Sequence, residues 1–178
     1  MNKGKTTLFL TYSALCTALI SVCAWITVPF PTLPVTLQSF AVCTAAAVLG
    51  AKMGTVSACL YVAIGALGLP VFSGFTGGVG ALMSAGGGFI IGFVPAALVV
   101  GLLSDKWGYS FGKTVVAATA GHLVCYICGT LWFCLVYARD TSLPAALVTC
   151  VVPYIIPDAL KIITSALVSS RVKKKIKV

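Results

Sequence analysis

Six stretches of the chain are almost free of ionisable side chains and continuously apolar: Leu8–Val28, Thr36–Gly50, Gly54–Leu69, Ala81–Leu103, Thr114–Tyr137 and Leu143–Ser169. A helix needs about 20 apolar residues to cross the hydrocarbon of a bilayer, and shorter ones can pack within a bundle. The second and third runs are short and joined only by "AKMG", a pattern that predicts a tight helical hairpin. Barrel strands would alternate polar and apolar residues, and these runs do not. Hydrophobic residues make up 60% of the 178 and charged ones 8%, against roughly 25% charge in a soluble domain. Too little polar surface remains to cover a sphere in water. The expected fold is therefore an all-α integral membrane protein, a compact bundle of six transmembrane helices forming one domain over residues 1–178.

The net charge of +9 invites a nucleic-acid reading, but its distribution argues against one. Lys3 and Lys5 precede the first helix, Lys52 joins the second to the third, and Lys106 and Lys113 join the fourth to the fifth. Arg171, Lys173, Lys174, Lys175 and Lys177 follow the sixth. Six crossings put all ten on one face and leave Arg139 on the other, which by the positive-inside rule makes both termini cytoplasmic. The expected surroundings are the cell membrane, with the terminal "RVKKKIKV" as a topology anchor that also attracts anionic lipid. No nucleic-acid partner is expected.

The N-terminal apolar run is too long for a signal-peptide core and lacks an Ala-x-Ala site, so it reads as a retained helix. All eight cysteines lie in apolar segments. Cys125 and Cys128 form a C-x-x-C, but on a helix and without the strand–helix context of a redox motif; they read as small packing residues. No second ligand cluster supports a metal, and no P-loop, dinucleotide-binding glycine motif or nucleophile elbow is present. Glutamate is absent altogether. The expectation is a non-enzymatic chain with neither metal nor cofactor, which does not itself hydrolyse ATP.

Polar atoms at membrane depth are few. The first loop, "VPFPTLPVTLQSF", is kept extended by Pro29, Pro31 and Pro34 before Thr36 and Gln38 enter the second helix. Eleven of the eighteen glycines fall between Gly65 and Gly101. "GLPVFSGFTGGVG" (Gly68–Gly80), which contains Thr76, is too broken for a plain helix and lies on the outer face; it reads as a lid. "SAGGGFIIGF" (Ser84–Phe93) sets Gly87, Gly88 and Phe89 at the start of the fourth helix, where small residues serve either a close helix crossing or a pocket wall. His122 reads as a neutral, hydrogen-bonded packing residue. Ala14 and Ala18 are a small-xxx-small pair that lets the first helix approach a neighbour closely.

Asp158 and Lys161 remain. Residues three apart share a helix face, and Pro157 loosens the backbone just before them. A charge at mid-bilayer costs roughly 2.5–3.5 kcal/mol on insertion scales, so the pair either stitches the bundle or serves a ligand. It lies in the outer half, on the side of the glycine-rich lid. A cation there can receive a carboxylate while the aspartate accepts N–H donors, which suits a small molecule with an acidic end, amide-like hydrogens and an apolar body.

"LPVTLQSFAV" (Leu33–Val42), "GALGLPVFSG" (Gly65–Gly74), "GGFIIGF" (Gly87–Phe93) and "PDALK" (Pro157–Lys161) together resemble the BioY family, in its order and spacing and over nearly the whole chain. These are biotin-binding S-components of energy-coupling factor (ECF) transporters. The resemblance implies six transmembrane helices, an outward-facing biotin pocket closed by loops, and contacts from Asp158 and Lys161. It sets Thr36, Gln38, Thr76, Gly87, Gly88 and Phe89 near the ligand. It further implies that Ala14 and Ala18 dock on a transmembrane coupling protein that works with two ATPase subunits. One departure stands out: the family commonly has Gly-Pro-Thr-Gly-Gly-Tyr where this chain has Ser84-Ala85-Gly86-Gly87-Gly88-Phe89, losing two hydroxyls from that wall. The alternatives are an S-component for another vitamin and a stand-alone secondary transporter coupled to protons through Asp158.

Overall fold

The computed structural model describes residues 3–30 and 32–175, so Pro31 and Lys177 lie outside it. Helix α1 (Lys3–Trp25) leads into a small ribbon in which β1 (Thr27–Val28) pairs antiparallel with β2 (Val35–Thr36), Thr27 opposite Thr36 and Val28 opposite Val35. The ribbon lets the backbone of a proline-rich loop satisfy some of its own hydrogen bonds.

Helix α2 (Gln38–Ala66) is interrupted at Gly50, whose φ of 81° is open to glycine and strained for other residues. Its two arms fold back on each other. In a continuous helix Gln38 and Tyr61 would stand about 35 Å apart at 1.5 Å per residue, yet the Gln38 amide donates to the Tyr61 hydroxyl. Likewise a Cβ on Gly54 would collide with Ala46. Where the sequence reading makes "AKMG" the connection, these four residues are already helical and the reversal takes one glycine. The freed N–H of Ala51 donates to Asp105 Oδ2 at 2.9 Å, a carboxylate set against the start of the second arm. Tyr109 donates to the other oxygen of Asp105 at 2.9 Å. Lys173 closes the end of the first arm, donating to Val48 O at 2.8 Å with its ammonium 4.5 Å from the centre of the Tyr109 ring.

A short helix, α3 (Val79–Leu82), precedes α4 (Gly87–Trp107) and α5 (Phe111–Trp132), which runs on through a wider turn over Phe133–Tyr137. The sixth apolar run is not one rod. It breaks into α6 (Leu143–Cys150), a tight turn over Val152–Tyr154 and α7 (Ile155–Lys175), because Pro153 can neither donate a backbone hydrogen bond nor continue the preceding helix. Among the described residues, five segments are long and apolar enough to cross a membrane: Thr6–Trp25, Gln38–Ala66, Gly87–Trp107, Phe111–Tyr137 and Leu143–Lys174.

The two arms of α2, with α4 and α5, build the centre from small residues such as Ala46, Ala47, Ala96, Ala97, Ala117 and Ala118. Lipid tails are as apolar as leucine, so helices here gain by close contact rather than by leaving water. A Cβ on Gly101 would strike the backbone of Ala51, and one on Gly121 would strike Val100. Helix α1 turns Ser13, Thr17 and Ser21 inward and holds the second arm through a 3.0 Å bond from Thr17 Oγ1 to Ser57 O.

Candidate functional site

A cavity of about 610 Å³ opens among the first arm of α2, α4, α5 and α7, within the size range of small-molecule sites. Segment 32–36 and the glycine-rich segment from Phe72 to Gly86 roof it. Asp158 and Lys161 both line it, each 8% exposed, with Lys161 Nζ 2.6 Å from Asp158 Oδ1. Their spacing puts them on one face of α7, one turn apart. Tyr126 on α5 donates to Asp158 Oδ2 at 2.6 Å, so each carboxylate oxygen already accepts one strong bond and keeps a further lone pair for a ligand. Lys161 likewise keeps N–H donors beyond the one given to Asp158.

Across the cavity, Thr36 Oγ1 donates to Gln38 Oε1 at 2.9 Å, while the Gln38 amide donates to Tyr61, whose hydroxyl donates to Val71 O at 3.2 Å. The chain orients the Gln38 amide and leaves its second N–H for an acceptor. Phe89, Ile90 and Phe93 supply apolar wall from α4.

The roof is tied at two points. Tyr154, presented by the break before α7, donates to Leu33 O at 2.6 Å and accepts from Leu33 N at 3.0 Å, clasping the ribbon loop by its backbone. Trp25 Nε1 donates to Pro70 O at 2.9 Å and its ring stacks on Phe75 at 5.0 Å, while Thr27 Oγ1 and Ser73 Oγ lie 3.2 Å apart. Thr76 donates to Ser73 O at 2.9 Å within this segment and lines the cavity.

Of the residues singled out from sequence, Thr36, Gln38, Thr76, Phe89, Asp158 and Lys161 converge on this cavity. Gly87 and Gly88 do not line it. They serve packing: a Cβ on Gly87 would meet the Leu82 carbonyl, and one on Gly88 would meet Trp132 and the Cys128 carbonyl. Ala14 and Ala18 do not line it; both are exposed on the outward face of α1. Tyr126, Tyr154 and Tyr61 escape sequence reasoning. Tyr126 carried one faint signal, standing a helical turn from His122 in an otherwise apolar run.

The family model described as "BioY family" matches residues 1–178. The biotin transporter BioY of Thermotoga maritima is 40% identical over 158 residues, covering 89% of this chain and 91% of that protein. The probable biotin transporter BioY of Pyrococcus horikoshii is 38% identical over 160 residues, covering 90% and 93%. Among solved structures, the crystal structure of the S-component for biotin from an ECF-type ABC transporter superposes with a TM-score of 0.87 at 25% identity, covering 98% of this chain and 95% of that one. This chain belongs to the BioY family.

Proposed function

We propose that the chain captures biotin from the outer side of the cell membrane and delivers it inward as the S-component of an ECF transporter. The observation that carries this reading is the buried Asp158–Lys161 pair on the wall of a cavity of about 610 Å³. A cyclic urea offers N–H donors to the aspartate and a carbonyl to a lysine or the Gln38 amide, and an apolar ring and chain suit Phe89, Ile90 and Phe93. The names of the relatives support the same ligand.

Six crossings follow if the two arms of α2 each count as one, and both termini then lie in the cytoplasm with the basic tail. Ala14 and Ala18 are exposed while Ser13 and Thr17, one position back, are buried, so α1 turns both alanines outward, beside the exposed Leu15 and Leu19. That supports docking on a transmembrane coupling protein, with two ATPase subunits supplying the energy. The chain acts as a carrier subunit, not an enzyme.

The test is calorimetric titration of the purified protein in detergent with biotin, and with riboflavin and thiamine, which have no cyclic urea of this kind on an acidic chain. Saturable binding of biotin alone is expected. Binding of another vitamin in its place would overturn the ligand assignment.

A further inference from the structure

Three consecutive residues at the root of the roof are held by aromatic side chains. Trp25 Nε1 donates to Pro70 O, the Tyr61 hydroxyl donates to Val71 O at 3.2 Å, and the Phe72 ring stands edge-on to Tyr61, 5.4 Å between centres at 76°. Phe72 also fills the space that a side chain at Gly65 would need. Tyr61 is 0% exposed and does not line the cavity, whereas Gln38, which donates to its hydroxyl, and Thr36 both do.

The phenol has one proton, and a carbonyl can only accept, so that proton belongs to Val71 O. The Tyr61 oxygen must then receive, which requires the nitrogen end of the Gln38 amide to face it. The oxygen end consequently faces Thr36, whose hydroxyl donates to it at 2.9 Å. A side-chain amide has two senses of nearly equal shape. Turned over, Gln38 would set Oε1 against Tyr61, the phenol proton would go to it, and the carbonyl of the buried Val71 would lose that bond. A buried acceptor without its partner is unfavourable, so a backbone atom of the roof selects the sense of an amide on the cavity wall.

We infer that Tyr61 is a positioning residue for the ligand: it does not touch the bound molecule, but it holds the Gln38 amide in the one sense that the Val71 carbonyl allows. This rests on the functional reading above, in which Gln38 meets the ligand, and deepens it. Held this way, the amide keeps one N–H and one lone pair at fixed places. It matches a polar group in one order and mismatches the reverse, where an amide free to turn over would accept both. The linkage is reciprocal. The placement of the roof sets the amide, and a ligand that grips the amide in this sense keeps the phenol proton on Val71 O and so secures the root of the roof.

The experiment uses the intact protein and biotin. Tyr61→Phe keeps the ring against Phe72 and removes the hydroxyl. It should weaken biotin binding about tenfold in the wild-type background, the worth of one well-placed hydrogen bond. Where Gln38 is already alanine, the same change should weaken it by less than about twofold. Equal losses in the two backgrounds, or Gln38→Ala binding as tightly as the wild type, overturn the positioning role, because a contribution to roof packing or to the fold does not depend on Gln38. The chain has one glutamine, so ¹⁵N-glutamine labelling of the wild type gives one side-chain NH2 group. Its protons should show nuclear Overhauser contacts to the Tyr61 ring rather than to the Thr36 methyl, and one of them should shift when biotin binds. Contacts to the Thr36 methyl instead, or an unmoved pair at saturating biotin, overturn the inference and leave the functional reading intact; this readout stands even where a variant fails to fold or binds too weakly to titrate. Wild-type protein that does not bind biotin overturns that reading first.

Discussion

Replacing Lys161 by methionine keeps the length of the side chain and removes its charge. In the folded protein Asp158 would keep only the bond from Tyr126, since its Oδ1 bond at 2.6 Å comes from Lys161. Breaking a buried pair by deleting one partner costs about 3–5 kcal/mol, so ligand-free stability should fall visibly. Binding should fall too, because truncating a buried hydrogen-bonded charge costs about 2–5 kcal/mol, roughly 30-fold to several thousand-fold in Kd. The two losses separate in a double-mutant cycle with Asp158→Asn. The double variant contains no unpaired charge, so it should regain much of the stability lost in Lys161→Met while still binding biotin poorly. Calorimetric titration reads the affinity and thermal unfolding in detergent reads the stability. Lys161→Met with wild-type affinity, or a double variant that recovers binding together with stability, would refute the assignment of the pair to the ligand.

Tyr154→Phe deletes both hydrogen bonds to the Leu33 backbone, each contributing about 0.5–1.5 kcal/mol; biotin release measured by stopped flow should quicken by up to roughly 5- to 150-fold, and an unchanged rate would show that the clasp does not retain ligand. At the hairpin end, burial and the neighbouring Asp105 carboxylate push the Tyr109 phenol up to about 12. An unfolded tyrosine ionises near pH 10, so the stability this phenol contributes is whole below about pH 10 and is lost as pH rises toward about 12. Thermal unfolding should therefore decline more steeply across that window in the wild type than in Tyr109→Phe, and parallel curves would discount the contact. Leucine at both Ala14 and Ala18 should leave biotin affinity and stability unchanged while abolishing co-purification with the coupling protein; retained co-purification would move the docking face elsewhere.

What the sequence carries plainly is what local rules carry. Apolar length announces the helices, and a three-residue interval is enough to set Asp158 beside Lys161. The hairpin is legible because two short runs meet at a short connection, but the place of reversal is not: Gly50 and Gly54 look alike as letters. The difference lies in Asp105, 54 residues from Ala51 in the chain, whose carboxylate occupies the space a side chain at Gly50 would need. The same limit hides Tyr126 and Tyr154. Their partners, Asp158 and Leu33, lie 32 and 121 residues away, and no periodicity links an aromatic in an apolar helix to either. The glycines at the start of α4 err in the other direction, since a run beside the cavity looks like its wall, yet Gly87 and Gly88 are needed where Leu82 and Trp132 press in from behind.

Asp158 and Lys161 are the charged residues that line the cavity, and their opposite signs cancel in place. An empty binding chamber of this kind has no electrical preference between the two sides of a polarised membrane. A cargo bearing one carboxylate alters that, because moving one elementary charge through 100 mV is worth about 2.3 kcal/mol. On the proposed reading, with a cell interior at negative potential, the carboxylate cargo moves inward against the field, whereas the vacant chamber resets without electrical work. On that reading the voltage penalty falls on the half of the cycle that carries the vitamin, the half in which the proposed ATPase subunits have work to do.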